Sequence, residues 1–183
     1  LLNNNGINVY ASEIGYVLEV QTKGVEIDLS YSGIEYTTIR FSGAYTDAKY
    51  KDFKFLAKPG ELGGTSTPYY DASGKTLPGA PKFSGNLFVD FSYPLSGGKL
   101  FHTNLNYNYV TEFNNDPSLS RFATSGPYGI TDISVGLARQ DRKFDVSLVV
   151  KNVFDEDTGF QTTWASYKPG IPRWVGITID AAL

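Results

Sequence analysis

Seven stretches of this chain alternate apolar and polar residues with a period of two, and the connectors between them are by turns short and long. A period of two belongs to an extended strand, whose successive side chains point to opposite faces. Residues 22–31, with the pattern reaching back toward Tyr16, set Val25, Ile27, Leu29 and Tyr31 against Glu26, Asp28 and Ser30. Residues 37–55 set Ile39, Phe41, Gly43 and Tyr45 against Arg40, Ser42, Ala44 and Thr46. Residues 82–95 place Phe83, Leu87, Val89, Phe91, Tyr93 and Leu95 on one face and Ser84, Asn86, Asp90 and Ser92 on the other, where Phe88 is the apolar exception. Residues 100–113 oppose Phe101, Leu105, Tyr107 and Tyr109 to His102, Asn104, Asn106 and Asn108. Residues 128–139 oppose Ile133, Val135 and Leu137 to Asp132 and Ser134, and residues 144–154 oppose Val146, Leu148 and Val150 to Asp145, Ser147 and Lys151. Residues 173–183 close the series with Val175, Ile177, Ile179, Ala181 and Leu183 on one face.

The connectors 32–36, 96–99 and 140–143 are short, while 56–79, 114–127 and 155–172 are long and rich in Gly, Pro, Ser, Thr and Asp. Outer-membrane barrels have this asymmetry, because their periplasmic turns are short and their extracellular loops long. A soluble sandwich or small soluble barrel also alternates. Strand length favours the membrane, since soluble strands run to about five or six residues. So do the aromatics on the apolar face: Tyr31, Tyr93 and Phe101 lie toward the short turns, and Tyr45, Tyr107 and Tyr109 toward the long loops. Amphipathic rings favour the two membrane–water boundaries. The expected fold is all-β: antiparallel, up-and-down transmembrane strands, about seven or eight of them, forming part of a larger barrel. Ile7, Val9 and Ala11 alternate only weakly. Residues 1–15 are therefore read as either a partial strand or part of an extracellular loop, and residues 16–183 as barrel.

Composition excludes several other classes. With 183 residues the chain suits one domain, and its 13 Tyr, 12 Phe and 19 Gly fit strands and turns. It has no cysteine, hence no disulfide, thiol nucleophile or zinc knuckle. A net charge of −3 offers no basic stripe for nucleic acid. There is no run of about 18 apolar residues for a transmembrane helix, and no signal-peptide pattern. Barrel strands span with about 10 alternating residues, which hydropathy averages hide.

Chemistry is thin. His102 is the only histidine and no Gly-x-Ser-x-Gly elbow occurs, so no catalytic residue is assigned. Glu26, Asp28 and Asp90 read as structural charges, with Arg40 able to pair with Glu26 or Asp28 on the neighbouring strand. No metal-ligand spacing is present and no cofactor is expected. Gly74-Lys75-Thr76 has the letters of a phosphate loop, but no helix pattern follows. Asn104, Asn106, Asn108 and Asp132 join the acidic residues on a face suited to a wet lumen. Tyr69, Tyr70, Trp164 and Tyr167, in the long connectors, are ligand-contact candidates or loop packing.

Five segments, in order, resemble the last strands of TonB-dependent outer-membrane receptors: Lys23-Gly24-Val25-Glu26, Gly43-Ala44-Tyr45-Thr46-Asp47, Leu77-Pro78-Gly79-Ala80-Pro81-Lys82, Lys151-Asn152-Val153-Phe154-Asp155 and Pro172-Arg173-Trp174-Val175-Gly176. The resemblance covers residues 23–183 and departs from the family at the aromatic final residue, where this sequence has Leu183. It implies a non-enzymatic conduit in the bacterial outer membrane, the last strands of a 22-stranded barrel. Its partners would be lipid, an N-terminal plug, TonB, and a large extracellular ligand of the siderophore, cobalamin or glycan class. The rival readings are a small self-contained membrane barrel (adhesin, structural or lipid-modifying) and a soluble β-rich binding module.

Overall fold

The computed structural model describes residues 2–4, 7–9, 19–64, 67–141, 143–163 and 165–182. Seven strands form one antiparallel sheet: β1 (Glu19–Ile34), β2 (Thr37–Asp52), β3 (Phe83–Leu95), β4 (Lys99–Val110), β5 (Tyr128–Arg139), β6 (Phe144–Lys151) and β7 (Trp174–Ala181). Spatial order equals chain order, an up-and-down meander with β1 and β7 at its two edges. Among the described residues nothing pairs with the outer side of either edge, so the sheet does not close on itself. Leu2–Asn4 pairs with Ile7–Val9 as a separate hairpin. A self-contained seven-stranded barrel is therefore not what these strands form.

The alternating segments become strands, with shifted ends. The first connector shrinks to Glu35–Tyr36 because β1 runs on to Ile34 through a register irregularity after Tyr31. A bulge lets alternation break without ending the pairing. Tyr36 turns the chain with φ 61°, and the next short turn uses Gly97 and Gly98 at φ 72° and 69°. Glycine reaches that region without a Cβ clash. The second strand stops at Asp52 rather than continuing to Phe55, because Phe53 and Leu56 turn into a buried cluster. The region around Tyr16 lies outside the described residues, as does Leu183.

Register then fixes the two faces. One apolar row, Tyr31–Ile39–Val89–Leu105–Ile133–Val150–Val175, crosses all seven strands. One residue over, the row Thr38–Asp90–Asn104–Ser134 is polar. Because the period is two, correct pairing in one row propagates to every other. The aromatics gather at both ends of the apolar face. Tyr36 meets Tyr93 edge-on at 5.0 Å, and Phe91 contacts Tyr93 and Phe101 at 6.3 Å, on the short-turn side. Phe83 and Tyr109 sit 6.2 Å apart on the long-loop side.

Among the described residues nothing packs over this apolar face at its edges: Val25, Leu29 and Ile177 are 63, 61 and 68% exposed. A water-soluble sandwich would bury such side chains, and no second sheet lies on this face among the described residues. The buried apolar cluster lies instead at the long-loop end, where Tyr50, Phe53, Leu56 and Ala72 pack with Tyr70, Leu77 and Leu119.

The sixth strand ends at Lys151, three residues before the expected Phe154, because Asn152 enters the left-handed region at φ 50°. Its buried side chain then ties both ends of the last long loop. Asn152 Nδ2 donates to the carbonyls of Glu156 (2.9 Å) and Ile171 (3.0 Å), and its Oδ1 accepts from Glu156 N at 2.9 Å. Its own N–H donates to Asp132 Oδ1 at 2.9 Å. Three residues later Asp155 Oδ1 accepts from Arg173 N at 2.8 Å, which aims the chain into β7. The Asn-Val-Phe-Asp segment is thus a knot, not a strand end.

Asn152→Ala loses these side-chain bonds, worth about 1 kcal/mol each, and adds left-handed strain of about 1–2 kcal/mol. We expect a total loss of about 3–5 kcal/mol in urea unfolding of the detergent-solubilised protein, and a visibly smaller loss for Asn152→Gly. Equal losses for the two variants would show that backbone strain plays no part.

Candidate functional site

Two regions carry chemistry: the polar face of the sheet and the cap of long loops. On the polar face the sequence-predicted residues do meet, through a hub that the sequence alone does not single out. Asn86 Nδ2 donates to Asn106 Oδ1 at 2.7 Å and to Asn108 Oδ1 at 2.8 Å. Asn104 donates to Asp90 and accepts from Ser134 Oγ at 3.1 Å. Asp132 is committed to the Asn152 knot. These cross-strand amides hold register.

Arg40 differs from expectation. It makes no ion pair with Glu26 or Asp28 among the described residues, and its guanidinium instead lies 5.7 Å from the Phe88 ring centroid. Register explains this, since Arg40 stands opposite both Ser30 and Phe88, whereas Asp28 stands opposite Ser42. The apolar exception on the polar face is thereby the platform for its nearest cation.

His102 also acquires a partner. Its Nε2 lies 2.8 Å from Asp145 Oδ2, within ion-pair range though without the alignment of a hydrogen bond, and Ser147 Oγ donates to Asp145 Oδ1 at 2.8 Å. The pair reaches across β5 over Gly136, where a Cβ would meet Ser147 Oγ at 2.3 Å and the His102 ring at 2.5 Å. Only glycine permits that crossing.

Shallow open recesses line this face. One of about 420 Å³ is bounded by Glu26, Asp28, Ser42, Ser84, Asn86 and Asn108. Another, of about 360 Å³, is bounded by Asp90, His102, Asn104, Asp145 and Asp180. Among the described residues no group of His, Asp and Glu is arranged to hold a metal ion.

The loops form a cap rather than separate strings. The first (residues 53–82) holds a short hairpin, Leu56–Ala57 with Tyr69–Tyr70, and the second (111–127) pairs Phe113–Asn114 with Thr124–Ser125. Tyr70 joins them, its hydroxyl donating to Ser118 O at 3.0 Å while its ring packs on the buried cluster. Of the tyrosines expected to meet a ligand, this one is therefore occupied with packing. Tyr69 lies edge-on to Phe55 at 6.3 Å. Tyr167, in the third loop (152–173), is 59% exposed. Trp164 lies outside the described residues. Gly74-Lys75-Thr76 closes a turn, with Gly74 at φ 81° and its N–H donating to Tyr50 O at 2.7 Å, and no helix follows.

Glu61 is a second joint between the first two loops. Its Oε1 accepts from Ser120 Oγ at 2.8 Å and from Arg121 N at 3.0 Å. Burial pushes the carboxyl upward. Hydrogen bonds from its own backbone, Ser120 and Arg121, with the nearby Arg121 charge, outweigh that and hold it below its ordinary value.

The family model described as "TonB dependent receptor-like, beta-barrel" matches residues 3–153. No curated protein matches the chain. Among solved structures, the ferric yersiniabactin uptake receptor FyuA from Yersinia pestis is similar, with a TM-score of 0.65 at 18% identity over 87% of this chain. The chain spans 23% of that receptor.

Because the folded-state pKa of Glu61 is depressed, its contribution is complete above its ordinary value of 4.5 and is lost as pH falls through the folded value. Protease nicking of the first two loops should therefore rise below about pH 4.5 in the natural protein. In Glu61→Gln the loops should be more readily cut at neutral pH, with the acid-dependent rise reduced. Identical pH profiles for the two proteins would remove Glu61 as the joint.

Proposed function

The chain belongs to the TonB-dependent receptor-like β-barrel family, and from that premise we propose that it supplies barrel wall and extracellular loops for TonB-driven uptake of a large ligand across the bacterial outer membrane. The observation that carries this is the two-faced sheet with all three long loops at one end. Lipid meets the Val, Leu and Tyr face, and the Asn, Asp and Ser face looks into the lumen. The apolar band from Phe83 to Tyr93 covers ten residue steps, which at about 3.3 Å each and a tilt of about 40° gives a height of about 25 Å. That matches the hydrocarbon band of such barrels.

In this reading Glu26, Asp28, Arg40, Asp90, Asn104, Asn106, Asn108 and Asp132 keep the lumen wall hydrated. Residues 16–183 are barrel, and the partners are a plug domain, TonB, lipid and a ligand of the siderophore, cobalamin or glycan class. No bond is made or broken by this chain. Energy delivered to the plug opens the path, and the wall stays rigid because its amides are engaged across strands.

Expression of the full receptor in cells lacking competing receptors tests the reading directly. Growth on one of a panel of ferric chelates, cyanocobalamin or oligosaccharides should require both the receptor and intact TonB. Equal growth without TonB, or recovery of the receptor in the soluble periplasmic fraction, would overturn it. The face assignment has its own test. Leu105→Arg, on the apolar face mid-strand, should destabilise by about 2–4 kcal/mol in lipid vesicles, while Thr178→Arg, on the polar face, should stay within about 1 kcal/mol. Reversed values would exchange lumen and lipid.

A further inference from the structure

Two of the short turns sit side by side, because Gln140 N donates to the Gly98 carbonyl at 2.9 Å. Just inside them the ladder sets Arg139 directly opposite Lys99. Each shares the alternate row of its strand that carries Phe101 or Leu137, so both side chains point out from the apolar face. Lys99 is exposed, and the Arg139 side chain is 64% exposed. The aspartates in the adjacent row stand on the other face, with Ala138 opposite Asp145 and Asp145 opposite Asp180.

Like charges directly opposite one another weaken a sheet. Here one carboxylate answers two cations: Asp141 Oδ2 lies 2.9 Å from Arg139 Nη2, while Lys99 forms no ion pair among the described residues. The tied turns keep the two cations together, so an anion between them is what relieves the repulsion. A phosphate suits the place, since the guanidinium fork holds two oxygens and the ammonium adds a point charge.

The neighbours say what carries the phosphate. Toward mid-strand the same face continues with Phe101 and with Leu137, which is 52% exposed, and Leu95 stands opposite Lys99 at 37% exposed. Two residue steps of about 3.3 Å at a tilt of about 40° put Lys99 about 5 Å beyond Phe101. Headgroups fill about 5–8 Å beyond the hydrocarbon on each side of a bilayer. Charge therefore lies at phosphate depth and apolar surface at acyl depth. Free phosphate would use only the first, whereas a lipid uses both.

We propose that Lys99 and Arg139 form an outward-facing seat for one phospholipid of net negative charge, its phosphate between the two cations and its acyl chains along Phe101 and Leu137. This goes beyond uptake, and rests on that reading only for the face that meets lipid and for the short turns lying at the periplasmic leaflet.

Native mass spectrometry of the purified full receptor in neutral detergent tests the seat, with phosphatidylglycerol and zwitterionic phosphatidylcholine as probes. The first phosphatidylglycerol should bind about tenfold more tightly than phosphatidylcholine. Lys99→Gln should weaken it about fivefold, and Lys99→Gln with Arg139→Gln about tenfold or more, to the level of phosphatidylcholine. Lys151→Gln, which removes a cation from the polar face, should change neither lipid. Both cations of the seat are exposed, and an unchanged heat-modifiable band shows that the barrel is intact. Equal binding of the two lipids by the natural receptor overturns the proposal, as does unchanged phosphatidylglycerol binding in the double variant. Displacement of the lipid by an equal concentration of inorganic phosphate would also overturn it, leaving an anion site without a lipid. If uptake still requires TonB after any of these, only the seat is lost; a receptor that stays soluble without detergent and retains no lipid takes the uptake reading with it.

Discussion

Every strand of this sheet exists to satisfy its neighbour's backbone. In hydrocarbon an unpaired N–H or C=O costs several kcal/mol, because no water is there to take it. The ladder from β1 to β7 meets that demand along continuous registers of six or more residues, with the two register shifts of the β1–β2 pair kept close to the ends of β1. The same demand makes the open edges at Glu19–Ile34 and Trp174–Ala181 untenable in a bilayer unless further strands cover them.

Once the ladder is fixed, the hydrophobic effect has little to do inside the sheet. Its apolar side chains point outward, and the polar ones face a space that holds water in the proposed arrangement. The buried apolar cluster lies at the long-loop end, around Tyr50, Phe53, Leu56 and Ala72. Long loops with so small a cluster need specific polar joints, and these are Glu61 on Ser120, Tyr70 on Ser118 and Asn152 on its own loop's two ends. Each joint satisfies backbone or buried polar groups that would otherwise be left without partners. The result is a cap whose exposed rings and cations are held in place from beneath.

The polar face shows how far residue type can be read without coordinates. Asn104, Asn106 and Asn108 announce a polar face by their spacing alone, since alternate positions on a strand share a face. The common donor to Asn106 and Asn108, Asn86, sits on the preceding strand in the same alternation, but its choice of these two and not Asn104 depends on register and could not be read from the chain. Arg40 shows the opposite error. Its place on the strand next to Glu26 and Asp28 suggested an ion pair, while the register delivered Phe88. Gly136 looks like any strand glycine until His102 and Asp145 are seen to meet above it.

The sequence by itself determined the period, the two faces and the alternation of short turns with long loops, because these follow from side-chain direction along a single strand. The order of the strands followed too, since short turns force neighbours in sequence to pair. Tertiary structure alone decided where β2 and β6 stop, because those limits are set by contacts from outside the strand: the loop cluster around Phe53 and the left-handed Asn152 with its distant partners. It alone decided which loop aromatics are occupied, burying Tyr70 against Ser118 and leaving Phe122 and Tyr167 in the open. Local alternation is a property of one segment. Partners across a sheet or between loops belong to segments many residues apart, and only folding brings them together.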